Sequence, residues 1–259
     1  ALHMWEEPCI SGEEGSGTVF FTGCNLRCVY CQNYDLSRSV TGKEITISRL
    51  AEIFLELQQK GANNINLVTP THFVPQIIEA LKCAKVRGLH LPVIYNTGGY
   101  ESEETLAMLD GWVDAYLPDF KYWDSEQALR YSRAEDYPET VKKAIREMYR
   151  QTGAFRFDMD GKIQKGVIVR HLLLPGELKA AKRIVQYLYE TYGDSVYMSL
   201  MNQYTPLETL DTVRYPELGR KVTEKEYDAL VDLGVECAYI QEGDTAEESF
   251  IPPFTLEGV

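Results

Sequence analysis

Three cysteines, Cys24, Cys28 and Cys31, stand in a C-x3-C-x2-C spacing inside residues 21–33 (FTGCNLRCVYCQN). Three thiolates within one short turn can face a single metal centre. Residues 17–22 (GTVFFT) read as a buried strand, being β-branched and aromatic between glycines. The cysteines are thereby placed on the loop leaving a strand's C-terminal end, where parallel α/β folds put their ligands.

A structural zinc site takes four protein ligands and tends to pair two short C-x2-C units. No second pair exists, since Cys9, Cys83 and Cys237 are isolated. An electron-transfer 4Fe–4S cluster also takes four thiolates. Three ligands leave one iron open, as an open position serves a catalytic metal.

The 259 residues suffice for one large α/β domain or two small ones. With 26 Lys+Arg against 39 Asp+Glu, the net charge of −13 repels phosphate backbones, so nucleic acid is not expected as a partner. No apolar stretch approaches a membrane span and nothing reads as a signal peptide, so a cytoplasmic location without a membrane partner is expected. Six cysteines in such a chain suit reduced thiols and metal rather than disulfides. Cys9, Cys83 and Cys237 read most simply as buried packing residues.

Apolar periodicity orders the rest. Residues 5–16 form an N-terminal loop packed on the edge of the fold. A helix runs from a Thr46 or Ser48 cap to about Lys60, and a second covers about 74–87. Strands are expected over 64–69, 91–95, 113–117, 166–174 and 196–200, with helices after them at 102–110, 138–151, 177–192 and 224–233. Residues 122–136 look irregular, and 155–164 alternate around Asp160-Gly161 as a hairpin. Strand then helix, six times over, implies an α/β fold with parallel strands and right-handed crossovers. No linker divides the chain, so 1–259 reads as a single domain: loop 1–16, core 17–206 and a C-terminal extension, 207–259, packed on it.

The cysteine spacing, with Tyr30 before the last cysteine, resembles the radical S-adenosylmethionine superfamily. Asn96-Thr97-Gly98, Asp119-Phe120-Lys121 and Arg170 with Leu174-Pro175-Gly176 resemble strand-end segments of glycyl-radical-enzyme activating enzymes, pyruvate formate-lyase-activating-like. The resemblance runs from about Glu7 to about Pro206. It implies a partial (β/α)6 barrel open on one side, a 4Fe–4S cluster on Cys24, Cys28 and Cys31, and S-adenosylmethionine chelating the open iron. It further implies reductive cleavage to a 5′-deoxyadenosyl radical, hydrogen abstraction from a glycine of a partner enzyme, a flavodoxin or ferredoxin as electron donor, and an anaerobic setting.

The resemblance also suggests cofactor contacts. Tyr30 would pack on adenine or cluster, or is core. The second strand of the family ends in Gly-Gly-Glu, which receives the methionine amino group; here Thr69-Pro70-Thr71-His72 offers no carboxylate, leaving Thr69, Thr71 and His72 as acceptors. Asn96, Thr97 and Asp119 are candidate ligands of a monovalent cation. Lys121 would neutralise the cofactor carboxylate, and Arg170 would face that carboxylate or the ribose. His171 then points to the helices. Asn202 and Gln203 are candidates to line a substrate channel. The alternatives are the same cofactor chemistry on another peptide or a small molecule, and a non-catalytic cysteine metal or electron-transfer module, for which Cys9 would supply a fourth ligand.

Overall fold

The computed structural model describes residues 1–38, 41–241 and 259. The chain opens with a short strand β1 (Leu2–His3), one helical turn α1 (Pro8–Ser11), strand β2 (Ser16–Phe20) and a second helical turn α2 (Tyr34–Ser37). There follow α3 (Ile47–Gln59), β3 (Ile65–Val68), α4 (Val74–Val86), β4 (Val93–Thr97), α5 (Glu103–Leu109) and β5 (Ala115–Pro118). Helices α6 (Ser125–Ser132) and α7 (Tyr137–Thr152) lead into the hairpin β6 (Arg156–Phe157) and β7 (Ile163–Leu172). The last elements are α8 (Leu178–Tyr192), β8 (Tyr197–Met201), α9 (Glu224–Val231) and β9 (Ala238–Ile240).

Strands β2, β3, β4, β5, β7, β8 and β9 lie side by side in that order, each parallel to the next. β1 pairs antiparallel on the β2 edge, and β6 pairs antiparallel with β7. Among the described residues no pairing joins β9 back to β1 or β2, so the sheet is open rather than closed. This is the expected parallel, open-sided α/β architecture, with one more parallel strand than the sequence reading counted. β9 adds that strand from the region taken as an extension, anchored where Met198 N donates to Cys237 O at 3.0 Å.

Local sequence explains the elements. Thr46 caps α3 by accepting from Arg49 N at 3.1 Å, and Leu50, Ala51, Ile53, Phe54 and Leu57 form its buried stripe. A fully buried Leu, Ile or Phe contributes about 1.5–3 kcal/mol, so the stripe outweighs the cap, worth about 1 kcal/mol. Strand alternation divides the core. Tyr95, Tyr116, Val167, Val169 and Met198 belong to one cluster with Val141, Ile145 and Ile184 of the covering helices. Ile94, Ala115, Leu117 and Ile168 alternate with them and face the other side.

What fills that other side corrects the sequence reading. The N-terminal loop does not sit on the edge of the fold; Cys9 and Ile10 pack onto Ile94, Ala115, Leu117 and Ile168. Asn66 Nδ2 donates to Glu6 Oε1 at 2.9 Å, and Asn64 Nδ2 donates to Ile10 O at 2.8 Å. Arg170 Nε donates to Glu7 Oε1 at 2.7 Å, and its Nη2 bridges to Glu6. Asparagine and arginine buried within a sheet need partners, and on this face the N-terminal segment, its single turn α1 included, supplies them. Three other expectations also change. Residues 125–132 of the supposedly irregular stretch are helical, Cys83 is exposed on α4, and Cys237 is only half-buried. Nearly all of the acidic tail lies outside the described residues.

Burial opposes the charge on Glu7, yet Arg170 outweighs it and holds the carboxyl below its ordinary value of 4.5. A depressed carboxylate stabilises the fold above that value, and the contribution is lost as pH falls through the folded-state pKa. Replacing the arginine leaves two buried carboxylates uncompensated. Arg170→Ala is expected to lose about 3–5 kcal/mol in urea unfolding near neutral pH. The deficit should shrink as pH is lowered toward 4.5 and the orphaned acids take up protons; a deficit independent of pH would show that charge is not its source.

Candidate active site

The three cysteines occupy the loop after β2, at the C-terminal ends of the parallel strands. All three are partly exposed. The loop is held from two sides. Asn25 Nδ2 donates to Tyr100 O, beyond β4, at 2.6 Å. Arg27 N and Val29 N donate to Ser132 O and Tyr131 O at the end of α6, at 3.0 and 2.9 Å. Ser132 Oγ donates to Cys28 Sγ at 3.0 Å and also meets Tyr122 Oη, which contacts Tyr30 Oη at 2.6 Å. A chain of hydroxyls thus runs from the core to one of the thiols. Tyr30 is correspondingly core: it is buried, its ring meets Tyr204 edge-on, and its hydroxyl is engaged.

Burial pushes the Cys24 thiol up to about 11, with Cys28 and Cys31 adding to the shift; Cys31 is also raised, by burial first and then by Cys28. A thiol binds metal only with loss of its proton. Cys9 belongs elsewhere. It is buried against Ile94, Ala115, Leu117 and Ile168 beside Tyr239, and burial pushes it up to about 12.

Beside the cysteines lies a cleft of about 270 Å3, lined by Cys24, Arg27, Ser37, Arg38, His72 and Phe73. His72 is exposed there, on the single turn that follows β3. Thr69 ends β3 with φ +57°, a left-handed conformation that strains a β-branched residue, and donates its N–H to Asn96 O at 2.9 Å. Asn96 itself is half-buried on β4.

The ends of β4 and β5 are clasped by Tyr137 of α7. Its hydroxyl accepts from Lys121 N at 2.9 Å and lies 2.9 Å from Gly98 O and 2.7 Å from Asp119 O. Gly99, at φ +77°, is required here, because a Cβ would meet Asp119 O at 2.2 Å. Lys121 Nζ lies 2.5 Å from Asp119 Oδ2. Burial disfavours the lysine's charge, but Asp119 and Cys28 outweigh it and hold the ammonium well above its usual range.

Several predicted contacts are therefore engaged within the chain. Lys121 neutralises Asp119, and Arg170 serves Glu6 and Glu7 rather than facing the open cleft. Of the candidate cation ligands, Asp119 takes Lys121 and Thr97 gives its hydroxyl to Glu101. His171 is buried, with Nδ1 2.7 Å from Phe120 O, and burial pushes it down to about 4. Asn202 and Gln203 follow β8; Gln241 accepts from Asn202 N at 2.9 Å and donates to Gln203 Oε1 at 2.9 Å. Sequence reasoning missed Ser132, Tyr137 and Glu101. Glu101 is buried, accepts from Thr71 Oγ1 at 2.8 Å and from Thr97, and burial pushes it up to about 7. Its adjacency to the Asn96-Thr97-Gly98 segment is the only signal that could have marked it.

Residues 18–188 match the family model described as the radical SAM superfamily. The chain belongs to that superfamily. It is 28% identical over 245 residues to an uncharacterised protein of Methanocaldococcus jannaschii, covering 90% of this chain and 64% of that protein. It is 31% identical over 113 residues to the pyruvate formate-lyase-activating enzyme of Clostridium pasteurianum, covering 42% of this chain and 46% of that enzyme. The chain therefore spans under two thirds of the length of these curated relatives. Among solved structures, a radical SAM methyltransferase from Sphaerobacter thermophilus superposes with TM-score 0.58 at 12% identity, covering 86% of this chain and 65% of that one. Streptococcus suis SuiB bound to precursor peptide SuiA gives 0.56 at 11%, covering 83% and 44%. Methylornithine synthase gives 0.56 at 16%, covering 83% and 61%. These likenesses concern the fold.

The superfamily implies a 4Fe–4S cluster and S-adenosylmethionine, and the three thiols on one loop fit the cluster. Among the described residues no group of three or more His, Cys, Asp or Glu converges as a single metal ion requires. A cuboidal cluster needs less convergence, since each thiolate binds a separate iron corner. The thiols share one loop, and Cys28 already accepts from a hydroxyl, the kind of contact that tunes a cluster's potential. Reconstituted iron and sulfide are expected to fall to background when Cys24, Cys28 or Cys31 is replaced by alanine, and to stay at the wild-type level in Cys9→Ala. Loss of the cluster in Cys9→Ala would make the site a four-thiolate one.

Proposed function

We propose that this radical SAM protein takes a hydrogen atom from a glycine of a partner protein, as glycyl-radical-enzyme activating enzymes do. The carrying observation is the placement of the three-cysteine loop at the C-terminal rim of a sheet that is left open, with the partial match to a pyruvate formate-lyase-activating enzyme beside it. An open rim admits a flexible peptide loop, which a closed barrel would exclude.

When bound, the cluster and S-adenosylmethionine supply one-electron cleavage to methionine and a 5′-deoxyadenosyl radical, which becomes 5′-deoxyadenosine on taking the substrate's hydrogen. The protein's part is positional. Cys24, Cys28 and Cys31 would hold the cluster, three thiolates for four irons. Ser132 donates to Cys28, a hydrogen bond that would favour the more negative, reduced form of a bound cluster. Tyr137 fixes the ends of β4 and β5, which would help to position the cofactor. Lys121, paired with Asp119, brings a cation close to Cys28. A flavodoxin or ferredoxin would supply the electron.

A second reading keeps this chemistry and changes the substrate to another peptide, favoured by the fold's likeness to a protein solved with a precursor peptide. One assay addresses both. Under anaerobic conditions with dithionite and S-adenosylmethionine, the reconstituted protein is expected to release 5′-deoxyadenosine, and Cys28→Ala none. Adding a partner such as pyruvate formate-lyase should then give the doublet of a glycyl radical in electron paramagnetic resonance. Cleavage without a doublet would move the assignment to another substrate, and no cleavage from a loaded cluster would end the radical reading.

A further inference from the structure

The end of β3 lacks an acid. Thr69-Pro70-Thr71-His72 presents hydroxyls and an imidazole, yet an ammonium group brought to this rim calls for negative charge and good acceptors. One loop away, after β4, Glu101 is 2% exposed. Its Oε1 accepts from Thr71 at 2.8 Å and from Thr97. The other oxygen, Oε2, is buried with no hydrogen-bond partner. A carboxylate oxygen so placed is costly unless a donor arrives. No Lys, Arg or His pairs with Glu101 among the described residues, and Asp119, whose charge acts on Glu101, has its own cation in Lys121. The strained Thr69 follows the end of β3, the strand paired with β4.

We infer that Glu101 receives the α-ammonium of S-adenosylmethionine, so that the end of β4 supplies the carboxylate missing from the end of β3. Oε1 already takes two hydroxyl protons, and Oε2 is left as an acceptor that needs an N–H. An ammonium brings three donors, whereas a bare alkali ion seeks several oxygens at once. Thr71 and Thr97 are positioning residues that aim the carboxylate; the ammonium then completes it.

This role presupposes that the chain binds S-adenosylmethionine, so wild-type binding is measured first. Equilibrium dialysis of the cluster-loaded protein would compare S-adenosylmethionine with 5′-methylthioadenosine, which lacks both the ammonium and the carboxylate. No binding of the first by the wild type would sink the cofactor reading itself. Given that binding, Glu101→Gln is expected to weaken S-adenosylmethionine roughly tenfold to a hundredfold, the worth of a charge-assisted hydrogen bond. Methylthioadenosine affinity, iron content and thermal midpoint should stay unchanged. Equal weakening of both ligands would show that Glu101 only holds the loop and would overturn the assignment. A loss reversed by added potassium would instead give the carboxylate to an alkali ion, also overturning it. Should Glu101→Gln fail to fold, the paired exchange Thr71→Glu with Glu101→Thr moves the carboxylate across the existing 2.8 Å contact. It should bind S-adenosylmethionine within a few-fold of wild type, and failure to discriminate between the two ligands would count against the inference.

Discussion

A single buried hydroxyl governs the geometry of the rim. Tyr137 Oη accepts from Lys121 N and shares its one proton between Gly98 O and Asp119 O. Parallel strands end with unpaired backbone groups at one level, and each such group buried without a partner is unfavourable. By meeting three of them, the tyrosine fixes the spacing of β4 and β5 at their C-terminal ends. The helix that carries it is anchored by Val141, Ala144, Ile145 and Met148, all fully buried. The precision of the site is inherited from hydrophobic packing behind it.

Charge is partitioned between two levels of the same sheet. On the concave face, the N-terminal acids meet Arg170 and the cluster of charges is closed. At the rim, Lys121 and Asp119 form one pair while Glu101 keeps an oxygen in reserve. The overall charge of −13 therefore says little about the site, which depends on three or four groups held out of water.

How far this was legible in the sequence follows from how local each signal is. The cysteines are close in sequence, so their spacing alone placed them on one loop. The cap of α3 and the apolar stripes of α3 and α8 were readable because a helix repeats over a few residues. The seventh parallel strand was less so, since Ala238–Ile240 is only a short run whose pairing depends on β8 being next to it. Ser132, Tyr137 and Glu101 carried no local pattern; each matters through a partner dozens of residues away. The N-terminal loop failed for the opposite reason. Its Gly, Glu and Ser content looks solvent-bound, and only Arg170 and Asn66 on the inner face explain why two glutamates are buried.

That loop also bears on how the chain reaches its folded state. Glu7 and Arg170 are 163 residues apart, so the first segment to leave the ribosome waits for much of the protein before its acids find their cation. Closing such a loop costs entropy that no local contact repays early, and contacts this distant slow folding. Until β7 arrives, the face of β3 and β4 that bears Asn66 and Ile94 has only the N-terminal segment to cover it. That segment is therefore placed to act as a built-in guard of the half-made sheet, held by Asn66 of β3 and by Asn63 and Asn64 just before it until the arginine locks it.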